Sequence, residues 1–339
     1  MEAIRSSIPQ NRTVSPGSAF RAALTPTEMQ ILAAIAALAL FFSFFFPDSF
    51  ATGTTLTNMA RVAGILAVVS IGQTFALIVG GFDISVAAVM GLASVVAALL
   101  MKSGVDVGPA IAIALAAGAA VGLINGIGVA LFRVTPFVMT LGMMTAVGGL
   151  SNQLANGGTI SGLPRSLSLL GRSNWGVLPS AACIAALALV AAWFLLHRTR
   201  AGLYIFSIGG SRETSKLAGV AVAGYELLAY VACSTLAALA GIMLTARISV
   251  AQGSLGQGYE LLSIATAVIG GVLIGGGSGR LTGVIRGVMF ITILTTGLDI
   301  AGVNPFVQQI ATGVVLVVAV IVSRARSNGL VSLLRVFRR

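Results

Sequence analysis

The side chains able to do chemistry are few and scattered in this sequence. Asp83, Glu260 and Asp299 stand at the ends of long apolar runs, and no chain of acids or histidines passes through the middle of one. Carrying a proton or sodium ion requires such a chain, because its groups must take up and release the ion. The single histidine, His197, closes an apolar run in HRTR and fits an interfacial polar residue better than a ligand or a base. Cys183 and Cys233 each lie inside an apolar run, where a thiol behaves as a small hydrophobe, so neither a disulfide nor a metal site is expected. The cluster Gly275-Gly276-Gly277-Ser278-Gly279-Arg280 lacks the Lys-Ser/Thr of a phosphate-cradling loop. As a dinucleotide fingerprint it lacks a soluble strand before it and an acidic partner after it. These glycines fit a tight turn or a close approach between helices. With no Ser-His-Asp or HExxH arrangement, no catalytic residue and no cofactor are expected.

One acid asks for an explanation. Residues 80–91, GGFDISVAAVMG, place Asp83 between two apolar segments, Val62–Val79 and Val86–Met101. Gly80 and Gly81 permit a sharp break, and Asp83 or Ser85 can satisfy the free N–H groups of a helix starting there, which lipid cannot do. The role of Asp83 is therefore read as mainly structural, with substrate contact as the other reading.

The elements that must position these groups follow from composition. Of 339 residues, 57% are hydrophobic and only 9% charged, whereas a soluble domain dresses its surface with about a quarter charged residues. The apolar runs are continuous and close to twenty residues, without the alternation of barrel strands. The fold class is thus an all-α polytopic membrane protein. About ten spans are expected, at 29–46, 60–79, 84–101, 108–131, 136–155, 177–196, 224–246, 260–276, 281–298 and 305–323. Trp175 and Trp193, about 27 Å apart if helical, would mark the two interfaces of the sixth. Residues 1–28 form a polar tail expected to be disordered and cytoplasmic, 29–323 the transmembrane domain, and 324–339 a basic cytoplasmic tail.

The net charge of +11 reflects topology rather than nucleic-acid binding. Arg5, Arg12, Arg21, Arg133, Arg198, Arg200, Arg212, Lys216, Arg280 and the C-terminal arginines would fall on one side. Lys102, Arg165, Arg172 and Arg247 would fall on the other, with Arg61 and Arg286 near span ends. The positive-inside rule then puts both termini in the cytoplasm. The longest cytoplasmic loop, 197–223, contains SRETSKLAG, whose serine can cap a short surface helix and whose glycine can end it. An ordinary solvated loop is the competing reading.

Gly122-Leu-Ile-Asn-Gly126 recurs as Gly283-Val-Ile-Arg-Gly287, and a Pro-Phe-Val follows each at 136–138 and 305–307. Two five-span halves of opposite orientation would produce this five-plus-five inverted repeat, although short glycine matches also arise by chance among 42 glycines.

Taken together, these segments resemble the ribose-type sugar permeases, membrane subunits of bacterial ABC importers. GGFDISVAAVMGLASVVAA, GLINGIGVALFRVTPFVMTLGMM, RAGLYIFSIGGSRETSKLAGVAV and YELLSIATAVIGGVLIGGGSGRLTG carry the likeness, in order, from about residue 56 to residue 323. Leu262 stands where that family often has an aspartate, and Gly270-Gly271-Val272-Leu273 replaces a more polar Gly-Gly-[T/S]-S. The resemblance implies a permease of the bacterial inner membrane that moves a monosaccharide handed over by a periplasmic binding protein. It also implies a second permease subunit, identical or related, and a tandem ATP-binding subunit that hydrolyses the ATP. A nucleoside, a furanose-like signal or a branched-chain amino acid are alternative solutes, and an ion-coupled secondary transporter is the alternative class. Neutral hydrogen-bonding residues suit a path for a hydroxylated solute, and the candidates are Asn58, Gln73, Asn125, Thr140, Asn152 and Gln309. For each alone, bonding between helices is the competing role. ATPase coupling would fall to Ser211, Arg212, Glu213, Lys216, Leu217, Ala218 and Gly219.

Overall fold

The computed structural model describes residues 26–327. The expected tails lie outside that range, apart from the few residues that open the first helix and close the last. The helices, in chain order, are α1 (Pro26–Phe45), α2 (Pro47–Phe50), α3 (Gly53–Ile78), α4 (Val86–Lys102), α5 (Val107–Ala130), α6 (Pro136–Leu154) and α7 (Arg165–Gly171). They continue with α8 (Ser180–Arg198), α9 (Arg200–Gly210), α10 (Arg212–Leu217), α11 (Val222–Ile248), α12 (Tyr259–Ile269), α13 (Leu281–Ile300) and α14 (Pro305–Ser327). Two short antiparallel ribbons complete the chain. β1 (Thr159–Ile160) pairs with β4 (Ala251–Gln252), and β2 (Asn174–Trp175) pairs with β3 (Leu178–Pro179).

Each of the ten expected segments holds a helix, and among the described residues six helices are long and apolar enough to cross a membrane: α1, α3, α5, α8, α11 and α13. Two corrections concern length. The segment expected at 260–276 is helical only to Ile269, because Gly270 ends it and Gly271 turns at φ +89°. Its 11 residues rise about 16 Å, roughly half a bilayer core. Trp175 lies in β2 rather than in α8, which starts at Ser180. The 197–223 loop is also mostly helix. The short helix at SRETSKLAG is present as α10, with Ser211 Oγ accepting from Thr214 N at 3.3 Å and Gly219 at φ +79° beyond its end. Before it runs α9, which was not expected. Its buried Gly202, Ile205 and Ile208 share one face, and Thr199 Oγ1 caps it.

Helices α3 and α11 occupy the centre and pack on each other. Helix α11 also packs on α4 and α5, while α3 packs on α12 and α13. Around them α4 meets α5 and α6, as α12 meets α13 and α14. Small residues permit the closest of these contacts, since lipid supplies no hydrophobic drive between helices. Gly118, Gly122 and Gly126 of α5 form a groove for α11: a Cβ at Gly122 would stand 2.6 Å from the Tyr230 carbonyl oxygen, and one at Gly126 2.9 Å from the Leu227 Cα. Gly72 of α3 meets α11 from another side, where a Cβ would stand 2.9 Å from the Cys233 carbonyl oxygen. The matching glycines of α13 serve another neighbour. Gly283 and Gly287 lie against the carbonyls of Gly270 and Thr266, in and just after α12.

Candidate functional site

The break between α3 and α4 is built from local chemistry first. Val79 ends α3, Gly80 takes φ +96°, and the N–H groups of Gly80 and Gly81 return to Leu77 and Ala76 at 3.0 and 2.9 Å. The chain then folds back into the protein. Gln73, about 7.5 Å up α3 from its end, pairs with both main-chain groups of Asp83. Its amide nitrogen donates to Asp83 O and its amide oxygen accepts from Asp83 N, each at 3.0 Å.

The Asp83 carboxylate gathers its donors from three elements. Oδ1 accepts from Ser85 N at 2.8 Å and from Ser85 Oγ at 2.5 Å. Oδ2 accepts from Asn125 Nδ2 of α5 at 3.3 Å and from Ser234 Oγ of α11 at 3.2 Å. Asn125 Nδ2 also donates to Ser85 Oγ at 2.9 Å. Gln73, Asp83, Ser85, Asn125 and Ser234 have no accessible surface. Asp83 therefore takes the backbone N–H at the start of α4, and the Ser85 hydroxyl is used on the carboxylate instead of capping. A carboxylate with only neutral donors around it, and no grouping of metal-ligating residues among the described residues, organises a turn.

The six candidate path residues separate cleanly. Gln73 and Asn125 present no surface and are spent on the Asp83 turn. Thr140 is buried and donates to Pro136 O at 2.8 Å within its own helix. Asn58, Asn152 and Gln309 are exposed. Asn58 accepts from Arg61 at 3.1 Å, and Asn152 donates to Gly148 O at 3.0 Å.

Below the turn opens a cavity of about 490 Å³, whose wall includes Gly80, Gly81, Arg133, Arg212, Glu226 and Tyr230. Arg212 of α10 grips Glu226 of α11 through two bonds, Nε–Oε1 at 2.5 Å and Nη2–Oε2 at 2.7 Å. Hydrogen bonding to Glu226 raises the Arg212 pKa further above its ordinary value. Three glycine segments meet beside the cavity. Gly277 N donates to Ile78 O at 2.9 Å, a Cβ at Gly209 would overlap that same carbonyl, and one at Gly276 would stand 2.8 Å from Gly80 Cα. The glycine cluster at 275–279 thus provides the tight turn and close approach its composition allows. The outer face of α10 is bare: Leu217 is 89% exposed, and Glu213, Lys216 and Ala218 are exposed beside it.

Sequence reasoning passed over Glu226, Tyr230 and Ser234. The signal was present, since an acid, a phenol and a hydroxyl recur every four residues inside one apolar run and so share a helix face.

Several helices long and apolar enough to cross a membrane, with a buried turn beside a cavity, define a multi-pass membrane protein. Comparison with known proteins makes this specific. Residues 55–320 match the family described as branched-chain amino acid transport system / permease component. The ribose import permease protein RbsC of Escherichia coli (strain K12) is 35% identical over 303 residues, 88% of this chain and 94% of the relative. RbsC of Bacillus subtilis (strain 168) is 35% identical over 82% of this chain and 87% of its own length. The galactose/methyl galactoside import permease protein MglC of Salmonella typhimurium is 34% identical over 78% of this chain and 84% of its own length. No solved structure matches. The chain belongs to this family of membrane permease components.

Proposed function

We propose that this chain is the membrane-spanning subunit of an ABC importer that moves a monosaccharide into the cytoplasm. The observation that carries the reading is the near full-length likeness to permeases named for ribose and galactose import. In this reading a periplasmic binding protein delivers the sugar, a second permease subunit completes the path, and an ATP-binding subunit docks on α10 and hydrolyses ATP. The exposed apolar tip of α10 supports the docking, and the absence of an acidic or histidine chain argues against ion coupling. The biased placement of Lys and Arg supports α10 and both termini on the cytoplasmic side of the inner membrane. The matched packing of α3–α6 and α11–α14 supports two inverted halves and ten crossings, with α12 as a half-length member. The exposed amides Asn58, Asn152 and Gln309 remain candidates for the path, while Gln73, Asn125 and Thr140 support it from within.

The test is transport by the permease with its cognate ATPase in proteoliposomes, fed by the binding protein. Accumulation of labelled ribose or galactose that requires ATP is expected. Uptake driven by a proton gradient without ATP would overturn the reading. The family description supports a second solute class, so labelled leucine belongs in the same assay.

A further inference from the structure

Two buried atoms around the Asp83 turn have no hydrogen-bond partner: the Tyr230 hydroxyl on α11 and Asn125 Oδ1 on α5. One can donate and the other can accept. Asn125 gives its N–H groups to Asp83 and Ser85, while the Tyr230 hydroxyl lies so close to Gly81 that a Cβ there would overlap it. Their helices are packed backbone to backbone at Gly122 and Gly126, on either side of Asn125. A donor and an acceptor left idle beside the same turn is an arrangement that a second position of the turn can relieve.

The turn is also mechanically connected to α10. Glu226, Tyr230 and Ser234 line one face of α11. Glu226 holds Arg212, Tyr230 abuts Gly81, and Ser234 donates to Asp83. A push on α10 therefore reaches the turn along one rigid helix over about 12 Å. The three-glycine contact of Gly80, Gly209 and Gly276 adds a second route on the other side of the turn.

We propose that Tyr230 is a positioning residue of a two-position turn. In the arrangement described, Gly80–Asp83 sits against α11 and leaves the Tyr230 hydroxyl and Asn125 Oδ1 unpaired. When the ATPase moves α10, the Arg212–Glu226 tie shifts α11 and the turn withdraws. The Tyr230 O–H then donates to Asn125 Oδ1, which holds the second position. This rests on the reading of the chain as an ATPase-driven permease.

Tyr230→Phe separates an idle hydroxyl from a switching one. Deleting an unpaired buried hydroxyl leaves the described arrangement as stable or more so, and the resting permease–ATPase complex should melt at or above the wild-type temperature. Hydrogen exchange at residues 80–86 should rise at least five-fold when the wild-type complex is trapped with ATP and vanadate. Tyr230→Phe should lose that rise. Arg212→Glu and Glu226→Arg should each lose it singly, and the double exchange should restore it. A wild-type rise that persists in Tyr230→Phe overturns the inference and leaves the permease reading standing, as does a melting temperature several degrees lower in that variant. A wild-type chain whose cognate ATPase neither docks nor traps nucleotide overturns the permease reading and the inference with it.

Discussion

Asp83 shows how an acidic side chain is accommodated inside an apolar protein. Its four bonds come from Ser85, Asn125 and Ser234, and the Asn125 amide also donates to Ser85 Oγ, so the carboxylate and the turn satisfy each other. Asp83→Ala strands the Ser85 N–H and the Ser234 hydroxyl, and unsatisfied buried donors cost about 1–3 kcal/mol each. A loss of about 2–4 kcal/mol is expected, read as a lower melting temperature of the purified permease. Asp83→Asn keeps the oxygen facing Ser85 N, and the Asn125 amide can rotate to offer its idle oxygen. The loss should fall to about 1 kcal/mol. Equal melting of the two variants would show that the turn does not depend on this acceptor. His197 illustrates the opposite case, an exposed ring stacked on Trp193 at 6.0 Å between centroids.

At the scale of elements, glycine spacing decides how closely α5 and α11 approach. A methyl group at Gly122 would meet backbone atoms that cannot swing aside, whereas nothing lies within 4 Å of a methyl at Gly224 on α11. Gly122→Ala should destabilise the permease by about 1–3 kcal/mol through overpacking. Gly224→Ala should be neutral or stabilising by at most ~1 kcal/mol. Thermal melts of the two variants side by side check the pair. For α10 the relevant contact is outside the chain. Leu217→Asp should leave the permease folded and inserted, with unchanged melting, yet abolish ATPase co-purification and uptake. Lys216→Ala should have a mild effect, because exposed ion pairs contribute little. Normal uptake by Leu217→Asp would remove α10 from the docking surface.

The whole molecule places its polar ends far apart. Arg61 donates to Arg172 O and Asn174 Oδ1 at 2.8 and 3.1 Å, tying the β2–β3 turn to the start of α3, the end remote from α10. Val177, 95% exposed in that turn, and Lys216 on α10 are therefore expected to report on opposite sides in the proposed topology. In a chain with Cys183 and Cys233 replaced by Ala, Val177→Cys should react with a membrane-impermeant thiol reagent on spheroplasts. Lys216→Cys should react only after lysis. The reverse pattern would invert the topology proposed from the basic residues. The proposed inverted repeat expects Pro136, beside the cavity with Arg212, and Pro305, at the start of α14, to lie on opposite faces of the membrane.

Several of these features were determined by the sequence alone, because their causes are local. Continuous apolar runs allow only lipid as a surface, Gly80 and Gly81 with Asp83 favour a turn, and Ser211 and Gly219 are able to cap and end a short helix, although the sequence left a solvated loop equally open there. Other features depended on partners distant in the chain. Asp83 meets Asn125 and Ser234 across 42 and 151 positions, and nothing in the local sequence of any of them names the others. The same holds for Glu226, whose partner Arg212 belongs to a different helix, and for Gln73, which resembled a path residue until the turn folded back against it. The end of α12 at Gly270 and the unforeseen α9 were also tertiary decisions. The eleven residues of α9 are too few to read as a span, and at the end of α12 Gly270 packs against Gly283 where the apolar run by itself continues. Periodicity and turn chemistry act over a few residues, whereas the satisfaction of buried polar groups is settled only when the helices are assembled.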